Sequence, residues 1–315
     1  MLGSRVEIIS FFLALAAVPA FCTAPAEPPQ TLLARVVSWD VGWRPDARKE
    51  WVDRVVGEVR DAGKDGADVV VFPELFAWGL GPYAPPGSKP AQFITEVMEA
   101  DVLPRVAQAA KPGTFVVLGS YPHQAPGSRE TFNRAPALVD GRWRFIDKLD
   151  PTPAELDEDP PIKPGYALPL FRFRGGVAAV VVCFSLEKPE IALALKKRGV
   201  QLVLGPSATE DENGVARVLR SASARAVELG AAVIVAPLLG EQDGWKNTGA
   251  SALYLPAQKG IDHAPRESVR RSSGFARDDY RIPWSRLLEL RTQTETKPEP
   301  RPFLARTPPF QVEID

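Results

Sequence analysis

The sequence predicts an α/β fold in which helices cover mixed β-sheets. Apolar runs of strand length alternate with longer segments of helical periodicity along most of the chain. A strong hairpin signal, the Asp140-Gly141 dipeptide between two alternating segments, interrupts that order. Because a hairpin adds antiparallel strands to sheets that strand–helix repeats build in parallel, we expect layered sheets of mixed direction.

The first half of the chain supplies three strands, two helices and the hairpin. In order they are a strand at 32–39, a helix at 46–62, a strand at 68–72, a helix at 92–110, a strand at 115–119 and the hairpin at 137–145. The first helix is predicted because its apolar residues, from Trp51 to Ala62, recur on one face, and Gly63 follows it. The strand at 68–72 is almost wholly apolar, as in a sheet covered on both faces.

The second half repeats this order. Its predicted elements are a strand at 177–182, a helix at 189–198, a strand at 200–204, a helix at 215–229 and strands at 231–236 and 251–255. The apolar run at 177–182 ends abruptly at Cys183, and Pro189 and Glu190 then open a helix that basic residues close. From about 257 the chain is polar and proline-rich, so we expect a C-terminal tail over 257–315 that wraps the surface or a partner subunit.

Composition limits the class of protein. Of 315 residues, 45% are hydrophobic and 24% are charged, as in a globular protein with a large core. The formal net charge of −1 gives no electrostatic footprint for nucleic acid. One cysteine in the predicted domain and two scattered histidines, His123 and His263, lack the spacing of metal ligands. The length suits one large domain or two small ones, and we expect no metal site.

Residues 1–26 have the pattern of a secretory signal peptide. A basic residue, a short apolar core and a small-residue cleavage site lie at Arg5, 8–18 and 24–26. The apolar core is too short to span a bilayer comfortably, so we expect cleavage, no stable membrane span afterwards, and a periplasmic or secreted protein. The mature domain, 27–315, would keep Cys183 as a single unpaired thiol. An uncleaved anchor and lipidation at Cys22 are the alternatives, and the bulky Phe21 argues against the second.

Four residues with reactive or charged side chains lie after the ends of predicted strands. Glu74 follows the strand at 68–72, Cys183 follows the strand at 177–182, and Lys148 and Glu155 follow the hairpin. A nucleophilic thiol needs a base and an oxyanion donor, and both histidines lie in polar sequence away from these strand ends. A buried glutamate can serve as the base, and an ammonium can stabilise the oxyanion. Taken singly, each residue also fits an ordinary role: a small core side chain, a loop carboxylate or an exposed ion pair.

Three motifs in order resemble those of the nitrilase, or carbon–nitrogen hydrolase, superfamily. They are Val-Val-Phe-Pro-Glu74, Lys148-Leu-Asp-Pro-Thr-Pro-Ala-Glu155 and Val-Val-Val-Cys183-Phe-Ser-Leu-Glu-Lys-Pro-Glu190. Glutamate, lysine and cysteine follow one another here as they do in that family. The resemblance extends over about residues 33–256.

The resemblance implies a four-layer α-β-β-α sandwich of two mixed β-sheets, a homodimer or higher homo-oligomer, and no cofactor. It implies that Glu74 is the general base, Cys183 the nucleophile and Lys148 the group that stabilises the tetrahedral intermediate, together with the backbone N–H of Phe184. Glu155 matches the family's second glutamate, which positions the lysine and the substrate. The reaction would release ammonia or an amine and then hydrolyse a thioester.

Aromatic residues and the residues after the cysteine bear on the substrate and on the branch of the family. We expect Trp78, Ser207 and Ala208 at the substrate pocket, and Tyr83 and Trp245 are further candidates. True nitrilases usually carry Cys-Trp-Glu where this chain has Cys-Phe-Ser, so we expect an amidase for a small or peptide-like amide. The alternatives are a nitrile hydrolase, an acyltransferase that uses the same acyl-enzyme, and an inactive binding homologue. The acyltransferases with multiple membrane spans are unlike this chain, and the intact glutamate, lysine and cysteine argue against inactivity.

Overall fold

The computed structural model describes residues 27–293; the predicted signal peptide and residues 294–315 lie outside this range. The strands are β1 (Leu32–Asp40), β2 (Val69–Val71), β3 (Phe115–Val117), β4 (Tyr121–His123), β5 (Thr131–Val139), β6 (Arg142–Asp147), β7 (Ile162–Lys163), β8 (Leu170–Phe173), β9 (Gly176–Val180), β10 (Leu202–Ser207), β11 (Ala232–Gln242), β12 (Trp245–Asn247), β13 (Ala252–Tyr254), β14 (Arg266–Glu267) and β15 (Ala276–Ile282). The helices are α1 (Arg48–Lys64), α2 (Pro90–Val97), α3 (Leu103–Ala109), α4 (Pro153–Leu156), α5 (Pro189–Lys197), α6 (Glu212–Leu229) and α7 (Trp284–Gln293). Short 3-10 helices cover Phe76–Tyr83 and Cys183–Glu187, and a π-helical turn at Met98–Val102 joins α2 to α3.

Two mixed sheets form the centre of the molecule. In the first, β1, β2 and β3 run parallel, β15 pairs antiparallel with β1, and β5 pairs antiparallel with β3 and carries β4, β6 and β7. In the second, β9, β10 and β11 run parallel between the antiparallel strands β8 and β13. The sheets meet at one short parallel pairing, where Trp39 and Asp40 of β1 face Leu238 and Leu239 of β11.

Alternating side chains on β2 join two separate cores. Val69 and Val71 belong to the core that includes the second sheet, α5 and α6. Val70 belongs to the core beneath α1, α2 and α3. Because successive side chains of a strand point to opposite faces, one short apolar strand contributes to both cores. The predicted four-layer arrangement, helices on two stacked mixed sheets, is confirmed.

The end of the described chain departs from the expectation. The prediction that the segment at 251–255 is the last strand, with a tail from about 257, is wrong, because β14, β15 and α7 all follow residue 257. β15 pairs with β1 along 32–38, and Trp284 of α7 is fully buried. β15 is an edge strand whose exposed positions are Arg277, Asp279 and Arg281, and such charges protect an edge while hiding its strand character in the sequence. None of the helices within 27–293 is long and apolar enough to cross a bilayer.

Candidate active site

Glu74 lies in a turn at the carboxyl end of β2 that the β3–β4 connection holds in place. Leu75 has a left-handed φ of 52°, and its N–H donates to Ser120 Oγ at 2.9 Å. A Cβ at Gly119 would lie 2.1 Å from the carbonyl oxygen of Pro73, so only glycine fits there. The strand end and this turn place the Glu74 carboxylate, 2% exposed, inside the molecule.

Cys183 lies just after β9, at the first position of the 3-10 helix Cys183–Glu187. Its φ is 43°, a left-handed conformation that costs a non-glycine residue of the order of 1–3 kcal/mol. The Cys183 Sγ donates to the carbonyl oxygen of Ala208 at 3.5 Å. The strained turn thus places the thiol beside the carboxyl end of β10. The N–H of Phe184 lies in the first turn of the 3-10 helix, where N–H groups have no partner within the helix.

Lys148 joins the two glutamates. Its Nζ donates to Glu74 Oε1 at 2.8 Å and to Glu155 Oε2 at 2.6 Å. Asn133 Nδ2 also donates to both, at 2.8 Å to Glu74 Oε1 and at 2.9 Å to Glu155 Oε1. The N–H of Ala208 donates to Glu74 Oε2 at 2.9 Å. The structure therefore brings Glu74, Lys148 and Glu155 into one buried hydrogen-bonded cluster, and Ala208 links that cluster to Cys183.

A local helix cap fixes Glu155. The sequence Thr152-Pro-Ala-Glu155 forms a capping box at the start of α4. Glu155 Oε2 accepts from the N–H of Thr152 at 2.7 Å, and the Glu155 N–H donates to Thr152 Oγ1 at 3.2 Å. The same carboxylate oxygen is thereby set to accept from Lys148, seven residues earlier.

The two glutamates differ in their electrostatics. Burial, reinforced by the charge of Glu155, raises the pKa of Glu74 although Lys148 opposes the change. Burial also acts to raise the pKa of Glu155, but the charge and hydrogen bond of Lys148, with the hydrogen bonds from Thr152 and Asn133, bring that pKa below its usual range. The environment thus separates one carboxylate that readily takes a proton from one that stays ionised.

The thiol and the ammonium are both held in their protonated forms. Burial, and then the negative charge of Glu74, raises the pKa of the Cys183 thiol well above its usual range. Burial acts to lower the pKa of Lys148, but Glu74, Cys183 and Glu155 outweigh it and raise that pKa. Ala208 links the two groups, since its N–H donates to Glu74 Oε2 and its carbonyl oxygen accepts from Cys183 Sγ. The arrangement suits proton transfer from the thiol to Glu74 next to a permanent cation.

A cavity of about 510 Å³ opens onto the cluster. Trp78, Trp245, Ala208 and Phe184 line it together with the cluster. Ser207 and Tyr83 do not line it. The Ser207 hydroxyl donates to the carbonyl oxygen of Gly205, and the Tyr83 hydroxyl donates to that of Pro45. The expectation of Ser207 at the substrate pocket is therefore corrected: in a strand, neighbouring side chains point to opposite faces.

Two residues of the site escaped the sequence analysis. Asn133 is a buried amide within β5, and a polar residue inside a strand-like segment was the available signal. Gln242 is buried and lines the cavity at the end of β11. It precedes Asp243 and Gly244, which have φ values of 53° and 81° and form the β11–β12 turn. That Asp-Gly dipeptide was a second hairpin signal.

His123, expected in a loop, lies in β4 and hydrogen-bonds to Arg134.

A family model and several curated proteins match this chain. A family model described as carbon-nitrogen hydrolase matches residues 36–268. A probable hydrolase of Bacillus subtilis, YhcX, is 30% identical over 57% of this chain and 35% of its own length. The omega-amidase NIT2 of Xenopus tropicalis is 25% identical over 66% of this chain and 76% of its own length. The chain thus spans about a third of the first relative and three quarters of the second.

Solved structures support the same fold. An amidase from Nesterenkonia sp. superposes with a TM-score of 0.62 at 22% identity, covering 82% of this chain and 92% of that one. A mutant of the Nesterenkonia amidase, in complex with butyramide, gives a TM-score of 0.61 at 20% identity over 82% and 93% of the two chains.

Proposed function

Because this chain belongs to the carbon–nitrogen hydrolase family, we propose that it hydrolyses C–N bonds, as an amidase whose nucleophile is Cys183. One observation carries the proposal: Glu74 and Lys148, together with Glu155, form a buried hydrogen-bonded cluster against the thiol. The relatives named as amidases support an amide substrate.

In the proposed first half-reaction, Cys183 Sγ attacks the carbonyl carbon of the amide while Glu74 takes the thiol proton. The negative charge that develops on the carbonyl oxygen is stabilised by the Lys148 ammonium and the N–H of Phe184. Glu74 then gives its proton to the leaving nitrogen. The C–N bond breaks, ammonia or an amine leaves, and a thioester remains on Cys183.

In the second half-reaction, water attacks the thioester carbon and Glu74 takes a proton from that water. The C–S bond breaks, the carboxylic acid leaves, and the proton returns to the sulfur. Glu155 takes no proton in either half. Its lowered pKa keeps it ionised, so it holds the Lys148 ammonium in place through the cycle.

Export and self-association complete the proposal. Export rests on residues 1–26, outside the described range, and the mass of the exported chain would measure cleavage. Association through helices follows from the family resemblance, and Leu193 of α5 and Val227 of α6, which are 52% and 47% exposed, are apolar residues on two of the helices. Light scattering would measure the mass of the assembly.

The test is ammonia release by the purified protein from a panel of amides and nitriles, with Cys183→Ala alongside. We expect amide hydrolysis, and we expect Cys183→Ala to lower kcat by a factor on the order of 1,000 or more without changing the melting temperature by more than a few degrees. Full turnover by Cys183→Ala would refute the mechanism. Faster hydrolysis of nitriles than of amides would favour a nitrilase. Acyl transfer to added amines would favour a transferase. If there were neither turnover nor an acylated Cys183, the result would favour a binding homologue.

A further inference from the structure

The wall of the cavity outside the catalytic cluster carries an excess of carboxylates. Among the described lining residues beyond the cluster, the carboxylates are Glu158, Glu187, Glu210, Asp211 and Asp243. The single lining cation of this set, Arg217, lies 3.4 Å from Glu187, so that pair is close to neutral. The cluster itself adds no free positive charge, because Lys148 is matched by Glu155. The wall is therefore net negative.

A second, independent feature of the same wall is a buried acceptor without a donor. The Oε1 of Gln242 is buried and has no hydrogen-bond partner, and Gln242 lines the cavity. Its Nε2 donates to the carbonyl oxygen of Trp78 at 2.9 Å and contacts Asp243 Oδ2 at 3.4 Å. These two acceptors fix the orientation of the Gln242 side-chain amide. The flipped orientation would place Oε1, which is itself an acceptor, against two oxygen atoms. A buried acceptor of this kind is satisfied when a ligand supplies an N–H.

Both features call for the same ligand group. We infer that the amide substrate carries a cationic nitrogen, an ammonium or guanidinium, at the end remote from the scissile amide. The cationic nitrogen binds at Gln242 and Asp243, where it donates to Oε1 and meets the carboxylate. Trp78 and Trp245 line the same cavity, and aromatic rings of this kind can bind a cation. The inference rests on the proposed amidase function and adds its substrate class.

The neighbouring charges exclude the opposite substrate. A substrate ending in a carboxylate would meet Asp243 and the other lining acids without a free cation among the described lining residues to pair with it. Like charges within a cleft repel, and a cleft of one sign concentrates ligands of the other sign. We therefore expect selectivity for cationic over neutral and for neutral over anionic amides.

The experiment uses three primary amides of matched length that differ at the remote end: 5-aminopentanamide, hexanamide and 6-amino-6-oxohexanoate. At low salt we expect kcat/KM for the cationic amide to exceed that for hexanamide about tenfold, and the preference to shrink as salt rises. The anionic amide should be the poorest substrate. Asp243→Asn, which keeps a residue that tolerates the left-handed turn, should bring the cationic-to-neutral ratio towards one. Glu96→Gln, at an exposed position of α2 away from the cavity, is the matched control and should leave the ratio unchanged.

A binding measurement separates this inference from the proposed function. Calorimetry with Cys183→Ala compares 5-aminopentanamide with hexanamide without turnover, and tighter binding of the cationic amide supports the inference even if no amide is hydrolysed. Hydrolysis of hexanamide that depends on Cys183, with no preference for the cationic amide, would overturn the inference and leave the amidase proposal intact. A preference that Asp243→Asn does not reduce would also overturn it.

Discussion

At the scale of single residues, the ionisation of Glu74 controls the proposed chemistry. Glu74 accepts a proton only when it is ionised, so kcat/KM must rise with pH through the pKa of this group in the free enzyme. Burial raises that pKa above the ordinary value of 4.5, and the acidic limb of the profile should lie correspondingly higher. Asn133 opposes this effect of burial on the pKa of Glu74, because its Nδ2 donates a hydrogen bond to the ionised carboxylate.

Asn133→Ala should therefore move the acidic limb of kcat/KM to higher pH. The substitution removes one donor from Glu74 and one from Glu155, and losing a hydrogen bond to an ionised carboxylate raises its pKa further. Activity should fall most at acidic pH and recover as the pH rises. The matched control is Thr131→Val on the same strand, where the buried hydroxyl has no partner and its loss should not move the limb. An unshifted limb in Asn133→Ala would contradict this role.

At the scale of elements, the nucleophile turn and the lysine loop are joined by one hydrogen bond. Ser185 lies two residues after Cys183, is buried, and accepts through its Oγ from the N–H of Asp150 at 3.1 Å. Asp150 lies two residues after Lys148. Because both loops leave different sheets, this contact sets the position of the thiol relative to the ammonium.

Ser185→Ala should lower kcat about tenfold with a smaller effect on KM, because a small displacement of reacting groups is costly to the rate. Steady-state kinetics on the best amide measures both parameters. Ser207→Ala is the matched control: it removes a buried hydroxyl that neither lines the cavity nor joins these loops. Equal kcat losses in the two variants would show that the effect belongs to buried serines in general.

At the scale of the whole molecule, β15 and α7 pack against both sheets. β15 extends the first sheet beside β1, and Arg35 of β1 forms a two-pronged ion pair with Asp279 at 2.8 and 2.7 Å. Trp284 of α7 donates from Nε1 to the carbonyl oxygen of Arg174 at 2.7 Å and covers Gly176 at the start of β9. The chain thus returns to the beginning of the strand that carries the nucleophile.

Trp284→Ala should lower the free energy of unfolding by about 3–5 kcal/mol, the cost of truncating a large buried aromatic side chain. Denaturant unfolding followed by circular dichroism gives this value. Val269→Ala, at a position 77% exposed, is the control and should change the unfolding free energy by less than about 0.5 kcal/mol. A decrease in the unfolding free energy of less than about 1 kcal/mol for Trp284→Ala would contradict the idea that the packing of α7 stabilises the fold.

Local pattern in the sequence predicted the apolar strands, the long helices and the residues at which β2 and β9 run out. Glu74, Lys148, Glu155 and Cys183 could be found this way because each lies next to a strong local signal, and the family resemblance assigned their roles. β15 could not, because its exposed charges and its pairing with a strand more than 200 residues away leave little local periodicity.

Only the tertiary structure decided which polar groups share a site. Asn133 and Gln242 are single amides in otherwise ordinary strands, and their importance comes from partners on other elements. The acidic wall likewise collects residues from four separate segments, although the whole chain is nearly neutral. Backbone propensity and hydrophobic periodicity act over a few residues, so secondary structure can be predicted from the sequence. The pKa shifts and the preferred charge of the ligand depend on distances between residues far apart in the chain, and only folding sets those distances.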